Sequence, residues 1–358
     1  MELGLDCIRA LKSLAEESNL SEDVIVASLE AALGAAYRKY REGTTEPEVH
    51  LNRETGEVEI YDVRRTTENP VAGTSEITQA EAAQMGYSDV QPGDLVRVPV
   101  YVHPEKFGRI AAQTARQVII QRLKDAEREV VFNEFSEKIG DLVLGEVIRS
   151  ENDQVLIHIG ERSEALLQRE ERIPNEKYDI GMRLRFFLLD VRQTTRGPRI
   201  VLSRTHPGLL RRLMELEIPE IADGTVEIKG IVREAGARAK VAVATTDPSV
   251  DPLGACVGAS GARIRSISSE LCEEKIDIVL WDEDPLTYVK NSLSPATPVK
   301  IELVPDAERS VRVFVKPDQL SLAIGKTGQN VRLAARLTGW KLDIQSSEKL
   351  DEPAGQTR

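Results

Sequence analysis

The fold is decided by one stretch, residues 318–334, which reads DQLSLAIGKTGQNVRLA. Residues 251–267 read DPLGACVGASGARIRSI, and shifting the chain by 67 positions places the Gly-x-x-Gly motif of one stretch on that of the other. In each stretch a short apolar run precedes the glycines and an apolar stripe at helical spacing follows them. Similar strands come next, Lys275–Ile278 and Lys341–Ile344. The C-terminal half is therefore predicted to repeat a unit of helix, loop, helix and strand.

Both units begin with signals for a helix start. The first has Asp251-Pro252 and the second has Pro317-Asp318. Aspartate can cap a helix, and proline is tolerated in its first turn. We therefore expect two helices in each unit, joined by the Gly-x-x-Gly loop.

The Gly-x-x-Gly loops suit contact with phosphate. Glycine permits a tight turn and removes the side chain that would hold a nucleic-acid backbone away. The amides at the start of the following helix favour an anion. A KH domain uses such a loop to clamp the backbone of about four nucleotides. We therefore interpret the repeat as an RNA-binding platform.

The candidate RNA-binding residues fall into two sets. No acidic residue lies between Asp318 and Asp343, whereas the first loop offers no cation of its own, so we expect the second loop to hold phosphate more strongly. The second set is Gly325, Lys326, Thr327, Gly328, Gln329, Asn330, Arg332 and Arg336. The first set is Gly258, Ala259, Ser260, Gly261, Arg263 and Arg265.

Residues 142–204 read as five short strands separated by glycine-containing turns, which predicts a small barrel of the OB type. Such barrels often bind single-stranded nucleic acid by stacking bases on aromatic side chains. Phe186 and Phe187 are adjacent and must point to opposite faces, so we expect at most one to be exposed. Direct RNA contact and a spacer role both remain open for the barrel. Three arginines are candidates for a phosphate track: Arg149, Arg185 and Arg192.

Residues 1–137 predict an α+β domain. Two short helices over residues 1–40 precede a hairpin around Thr55-Gly56, a strand from Leu95, and a long helix from about Phe107 to Glu134. Residues 1–140 contain 25 acidic and 16 basic residues and so carry most of the net charge of -12. Such a surface fits a protein partner with a basic face.

Several protein classes are disfavoured by composition. No run approaches the roughly 20 apolar residues of a membrane span. The first six residues carry acid where a secretory signal carries base, so we expect a cytoplasmic protein. Three cysteines and four histidines form no metal-ligand spacing. No nucleophile motif is present, and we expect neither a cofactor nor catalysis.

Four strings resemble the NusA family of bacterial transcription elongation and termination factors. The strings are Phe107–Ala115, Leu202–Thr205, Asp251–Gly258 and Asp318–Ala334. The resemblance covers nearly the whole chain and implies a multidomain α+β architecture. Its parts are an N-terminal RNA polymerase-binding domain (1–137), an S1-type OB barrel (138–204), two tandem type II KH domains (205–283 and 284–350) and a flexible tail (351–358).

The resemblance also implies a function. A non-catalytic monomer would bind core RNA polymerase through residues 1–137 and nascent single-stranded RNA through the other domains. It would promote pausing, intrinsic termination and, with other Nus factors, antitermination. Ser260 stands where the family commonly has a basic residue, which weakens the expected phosphate contact of the first loop.

Two other classes with similar modules stay open. One is a ribosome-assembly or translational RNA-binding protein. The other is an RNA-processing enzyme or its accessory module, such as polynucleotide phosphorylase. In polynucleotide phosphorylase the KH module precedes the S1 module, whereas here the barrel comes first.

Overall fold

The structure is a computed structural model that describes residues 22–41, 46–71, 74–101, 104–151, 153–160, 163–305 and 308–350. The chain divides into two compact units, residues 1–133 and 134–358. The first of the two helices predicted over residues 1–40, and the predicted tail, lie outside the described residues.

Within its described residues, the first unit combines three helices with a four-stranded sheet. Strand β2 pairs antiparallel with β1 and β4 and parallel with β3. Its core includes Leu29, Leu33, Tyr37 and Phe107, each at most 1% exposed. The predicted hairpin and long helix are confirmed. The elements are α1 (Glu22–Arg41), β1 (Glu46–Leu51), β2 (Val58–Thr66), β3 (Glu76–Ile77), α2 (Gln79–Gln84), β4 (Leu95–Pro99) and α3 (Pro104–Ser136).

The second unit begins with a closed five-stranded barrel, as predicted. Its strands follow the order β5-β6-β7-β9-β8, and closure leaves no free sheet edge. Gly145 is needed where β5 meets β6, because a Cβ there would lie 2.3 Å from Cγ2 of Ile157. The strands are β5 (Leu142–Ser150), β6 (Gln154–Ile159), β7 (Ser163–Gln168), β8 (Arg183–Thr194) and β9 (Gly197–Ser203).

The first KH unit follows the barrel. Strand β11 pairs antiparallel with β10 and parallel with β12, and this mixed sheet is the type II arrangement. Asp251 caps the helix before the loop, since its carboxylate accepts from the amides of Leu253 and Gly254, both at 3.1 Å. The elements are α4 (Pro207–Glu217), α5 (Pro219–Ala222), β10 (Val226–Glu234), β11 (Arg238–Thr245), α6 (Pro252–Val257), α7 (Ala262–Glu270) and β12 (Lys275–Leu280).

The second KH unit repeats this topology. Strand β14 again pairs antiparallel with β13 and parallel with β15. Here Lys316 is the N-cap residue and Asp318 lies in the first turn, so the expected aspartate cap is absent from this helix. The elements are α8 (Pro285–Ser292), β13 (Pro298–Leu303), β14 (Ser310–Val315), α9 (Pro317–Ile324), α10 (Gln329–Thr338) and β15 (Lys341–Ser346).

A buried arginine joins the barrel to the first KH unit. Arg204, wholly buried, forms ion pairs with Glu176 of the barrel and Glu270 of the KH unit, and Nη1 donates to the Arg185 carbonyl at 2.7 Å. Arg233 is also buried; it pairs with Glu274 and donates to the Arg204 carbonyl at 2.9 Å. Removing one partner of such a pair costs about 3–5 kcal/mol, because it leaves a charge buried alone.

The two KH units pack directly on each other. Lys240 of β11 is wholly buried, and Nζ donates to the Ser294 carbonyl of the second unit at 2.8 Å. Desolvation lowers the pKa of Lys240, and the neighbouring Asp277 opposes that shift. Gly230 leaves room for Leu337, since a Cβ there would approach Cδ1 of that side chain to 3.3 Å. The two Gly-x-x-Gly loops therefore belong to one packed assembly.

Candidate RNA interface

The two Gly-x-x-Gly loops have nearly the same backbone conformation. Gly258 has φ 72° and ψ 175°, and Gly325 has φ 76° and ψ 172°. The last glycines match as well, with φ 76° at Gly261 and 74° at Gly328. The third residues, Ser260 and Thr327, also have positive φ, 49° and 52°. The sequence repeat is therefore a repeat of loop geometry.

The two glycines of each loop are required for different reasons. A Cβ on Gly325 would lie 2.7 Å from the backbone nitrogen of Asn330, and one on Gly258 would lie 2.8 Å from Cγ of Arg263. A Cβ on Gly328 would meet no atom within 4 Å. A Cβ on Gly261 would lie 3.4 Å from Nη1 of Arg265. The first glycine thus permits close internal packing in both loops, whereas the last glycine of the second loop leaves an open surface where a phosphate backbone can approach.

Equivalent positions brace each loop from behind. Nη1 of Arg263 donates to the Ala255 carbonyl at 2.6 Å, and Nδ2 of Asn330 donates to the equivalent Leu322 carbonyl at 3.3 Å. Asn330 also donates to the carbonyls of Ala323 and Leu293. Both side chains tie the helix after the loop to the helix before it.

This arrangement corrects the prediction for Asn330. Its side chain is wholly buried and its amide nitrogen is committed to backbone carbonyls. It therefore cannot contact RNA directly and acts as a brace. Arg263 is partly exposed, and its guanidinium pairs with Glu220 at 2.9 Å, so part of its charge is already neutralised.

The cations of the second loop are unequal. Lys326 and Arg336 are exposed, as is Arg265 in the first unit, and within the described ranges these three form no ion pair. Arg332, half exposed, pairs instead with Glu234 of the first KH unit, at 2.7 Å between Nη2 and Oε1. Gln329 donates to the other oxygen of the same carboxylate at 2.8 Å. Lys326 is therefore the cation that the second loop itself presents to solvent.

Glu234 is a site residue that the sequence did not reveal. The hydrogen bond from Arg332 holds its pKa below the usual value for glutamate, so it is ionised at neutral pH. Glu234 and Arg332 lie 98 positions apart. Their contact arises from packing between units, for which the local sequence carries no signal.

The barrel exposes fewer groups for RNA contact than its sequence indicated. Phe186 points inside and is wholly buried, and Phe187 is 8% exposed, stacked on His206 with ring centroids 4.5 Å apart. Neither ring is free for base stacking, because Phe187 belongs to the core shared with the first KH unit. The three arginines of the predicted track all form ion pairs: Arg149 with Glu151, Arg185 with Glu270, and Arg192 with Asp190.

Two features are absent from the described residues. No helix within those ranges is long and apolar enough to cross a membrane. The same ranges contain no group of three or more histidine, cysteine, aspartate or glutamate side chains placed to hold a metal ion.

The barrel, the mixed sheets and the paired loops define a tandem KH protein. Comparison with protein families agrees along the chain: residues 6–129 match the NusA N-terminal domain, residues 204–281 the NusA-like first KH domain, and residues 285–352 the NusA-like second KH domain. The chain belongs to the NusA family.

Similar proteins of this family occur in distant bacteria. The transcription termination/antitermination protein NusA of Halalkalibacterium halodurans is 45% identical over 96% of this chain and 88% of its own length. That of Bacillus subtilis is 45% identical over 96% and 91%. That of Thermus thermophilus is 42% identical over 98% and 92%.

Proposed function

We propose that this chain is a transcription factor that binds core RNA polymerase and nascent single-stranded RNA. It promotes pausing, intrinsic termination and antitermination. The relatives named above are termination/antitermination proteins, and they match this chain over nearly its full length. This similarity favours transcription over the translational and RNA-processing alternatives.

The observation that carries the RNA half of the proposal is the pair of matching loops. Their glycines share the same dihedral angles, and an open surface lies over Gly328. We assign backbone contact to both loops, with Lys326 as the main cation and Arg265 and Arg336 as flanking cations. The second loop is the stronger clamp in this proposal, because Lys326 has Ala259 as its counterpart.

Residues 1–133 are the proposed polymerase-binding part. They form a compact unit, and residues 6–129 match the NusA N-terminal domain. The remaining parts of the proposal are that the chain works as a monomer with other Nus factors in the cytoplasm, where bacterial transcription takes place. It performs no catalytic step of its own in this scheme.

Single-round transcription by purified core polymerase on a template with a hairpin terminator tests the proposal. Adding the full chain should lengthen the pause before the terminator and raise the terminated fraction. Lys326→Ala should lose part of this effect. Lys300→Ala is the control for charge, since it removes the same charge from β13 of the same unit, where Lys300 pairs with Glu302.

The polymerase contact is tested separately. Residues 1–133 should co-purify with core polymerase, and residues 134–358 should bind RNA without polymerase. An N-terminal fragment that folds but is not retained by polymerase would refute this half of the proposal.

A further inference from the structure

Glu234 connects the first KH unit to the second loop. It is the last residue of β10, and its side chain is 24% exposed. Oε1 accepts from Nε of Arg332 at 2.8 Å, and Oε2 accepts from Nε2 of Gln329 at 2.8 Å. Both donors lie at the start of α10, directly after the Gly-x-x-Gly loop. The carboxylate thus holds the beginning of that helix.

Arg332 extends this connection to the loop itself. Its Nη1 donates to the Thr327 carbonyl at 3.3 Å while Nε and Nη2 face Glu234. A guanidinium suits this task because Nε and Nη2 can both face Oε1 of one carboxylate while Nη1 still offers a third donor. One side chain therefore joins a strand of the first unit to the loop of the second.

The same contacts argue against Arg332 as a main phosphate ligand. Its charge is balanced by the adjacent carboxylate, and three of its nitrogen atoms are engaged within the protein. A phosphate that approached Arg332 would meet the negative charge of Glu234 as well. Lys326, which is exposed and forms no ion pair among the described residues, has no such competitor.

We propose that Glu234 is a positioning residue for RNA binding: through Arg332 and Gln329 it fixes the second Gly-x-x-Gly loop relative to the first KH unit, so that one RNA strand engages both loops. This inference rests on the proposed RNA-binding function. When two sites are held at a fixed spacing, the second contact forms at a high effective concentration, and flexible spacing reduces that gain. Glu234 therefore raises the affinity for RNA that spans both loops.

The test compares two RNA lengths on the full chain. One KH loop covers about four nucleotides, so a random-sequence pool of about 5 nucleotides occupies one loop and a pool of about 12 can span both. Glu234→Gln should lower the ratio of long-RNA to short-RNA affinity by about fivefold, with the short RNA changed by less than about twofold. The opposite role, a carboxylate that competes with phosphate, predicts tighter binding of both pools and would overturn the proposal.

Glu227→Gln is the matched control. Glu227 lies in the same strand and pairs with Lys229 of that strand, so its replacement removes the same charge without touching the second unit. The control should leave the affinity ratio at its wild-type value. An equal drop in both variants would show a general effect of charge and overturn the inference.

A charge exchange separates positioning from phosphate contact. Arg332→Glu alone should lower the affinity ratio, and adding Glu234→Arg should restore at least half of the loss, because the ion pair re-forms with reversed polarity. If Arg332 bound phosphate, the double variant would remain as weak as the single one. Thermal unfolding of each variant confirms that the folded protein is compared.

Lys326→Ala distinguishes failure of the inference from failure of the proposed function. If Lys326→Ala binds each RNA pool with the same affinity as the wild-type chain, the second loop is not an RNA clamp and the RNA half of the proposed function fails. If Lys326→Ala weakens binding while Glu234→Gln keeps the wild-type ratio, the clamp stands and only the role of Glu234 is refuted.

Discussion

The two Gly-x-x-Gly loops share a backbone but differ in what surrounds it. Both have two glycines and a third residue at positive φ, and both are braced by the side chain five positions after the first glycine. The brace is a partly exposed arginine in the first loop and a buried asparagine in the second. The second position is Ala259 in one and Lys326 in the other. Glycine spacing thus sets loop shape, and the variable positions set its charge.

Replacement of the first glycine should have the largest effect. In Gly325→Ala the new Cβ would press on the backbone nitrogen of Asn330 at 2.7 Å and require a positive φ. We expect the second KH unit to lose about 2–4 kcal/mol, with RNA affinity falling more than tenfold. In Gly328→Ala only the φ penalty of about 1 kcal/mol applies. Thermal unfolding and RNA titration measure the stability and the RNA affinity of both variants. Equal losses in Gly325→Ala and Gly328→Ala would show that the backbone shifts to relieve the clash.

Removal of the bracing side chains should have the next largest effect, and the loss of stability should differ between the two loops. Asn330→Ala removes the buried amide that donates to the carbonyls of Leu293, Leu322 and Ala323, at a cost of about 1–3 kcal/mol. Arg263→Ala should cost less, because the arginine is partly exposed and water can replace it. Denaturation midpoints of the two variants test this order. A larger loss of stability for Arg263→Ala than for Asn330→Ala would contradict this prediction.

Removal of the exposed cation tests the charge difference. Lys326→Ala should lower RNA affinity about fivefold and reduce the slope of log affinity against log salt by about 0.7, the value for one phosphate contact on a single strand. Lys300→Ala should leave the slope unchanged. A wild-type slope in Lys326→Ala would mean that this lysine does not meet phosphate.

Addition of a cation to the first loop is the converse experiment. Ala259 is exposed and occupies the position equivalent to Lys326. Ala259→Lys should raise RNA affinity about two- to threefold. It should also steepen the slope of log affinity against log salt by about 0.7, the value for one phosphate contact on a single strand. Ala259→Gln controls for side-chain length. No gain with the lysine would indicate that RNA does not pass over this position.

The smallest expected effect is a pH dependence at Glu234. The pKa of this group is lowered in the fold, so its stabilisation is present above the usual glutamate value near 4.5 and is lost as pH falls through the lower folded value. Wild type should exceed Glu234→Gln in stability by no more than about 1 kcal/mol near pH 7 and by nothing near pH 3. A difference that persists unchanged at the acidic end would show that the charge is not responsible.

Much of the architecture was predictable from periodicity. The hairpin around Thr55-Gly56, the long helix and the five-stranded barrel each arise from local alternation or helical spacing. The sequence was less informative about surfaces. It allowed one of Phe186 and Phe187 to be exposed, and the structure buries both; Asn330, predicted to contact RNA, is buried behind its own loop. A local pattern indicates which face of an element is apolar and leaves open which neighbouring unit covers it.

The sequence alone determined the repeat, the positions of the loops and the greater charge of the second loop. These properties depend on residue type and short spacing, since glycine governs φ and lysine supplies charge wherever the chain places them. Only the tertiary structure decided that Arg332 faces Glu234 and that Asn330 is a brace. Both outcomes depend on contacts between distant segments, because packing brings together a strand end and a helix start that lie 98 positions apart.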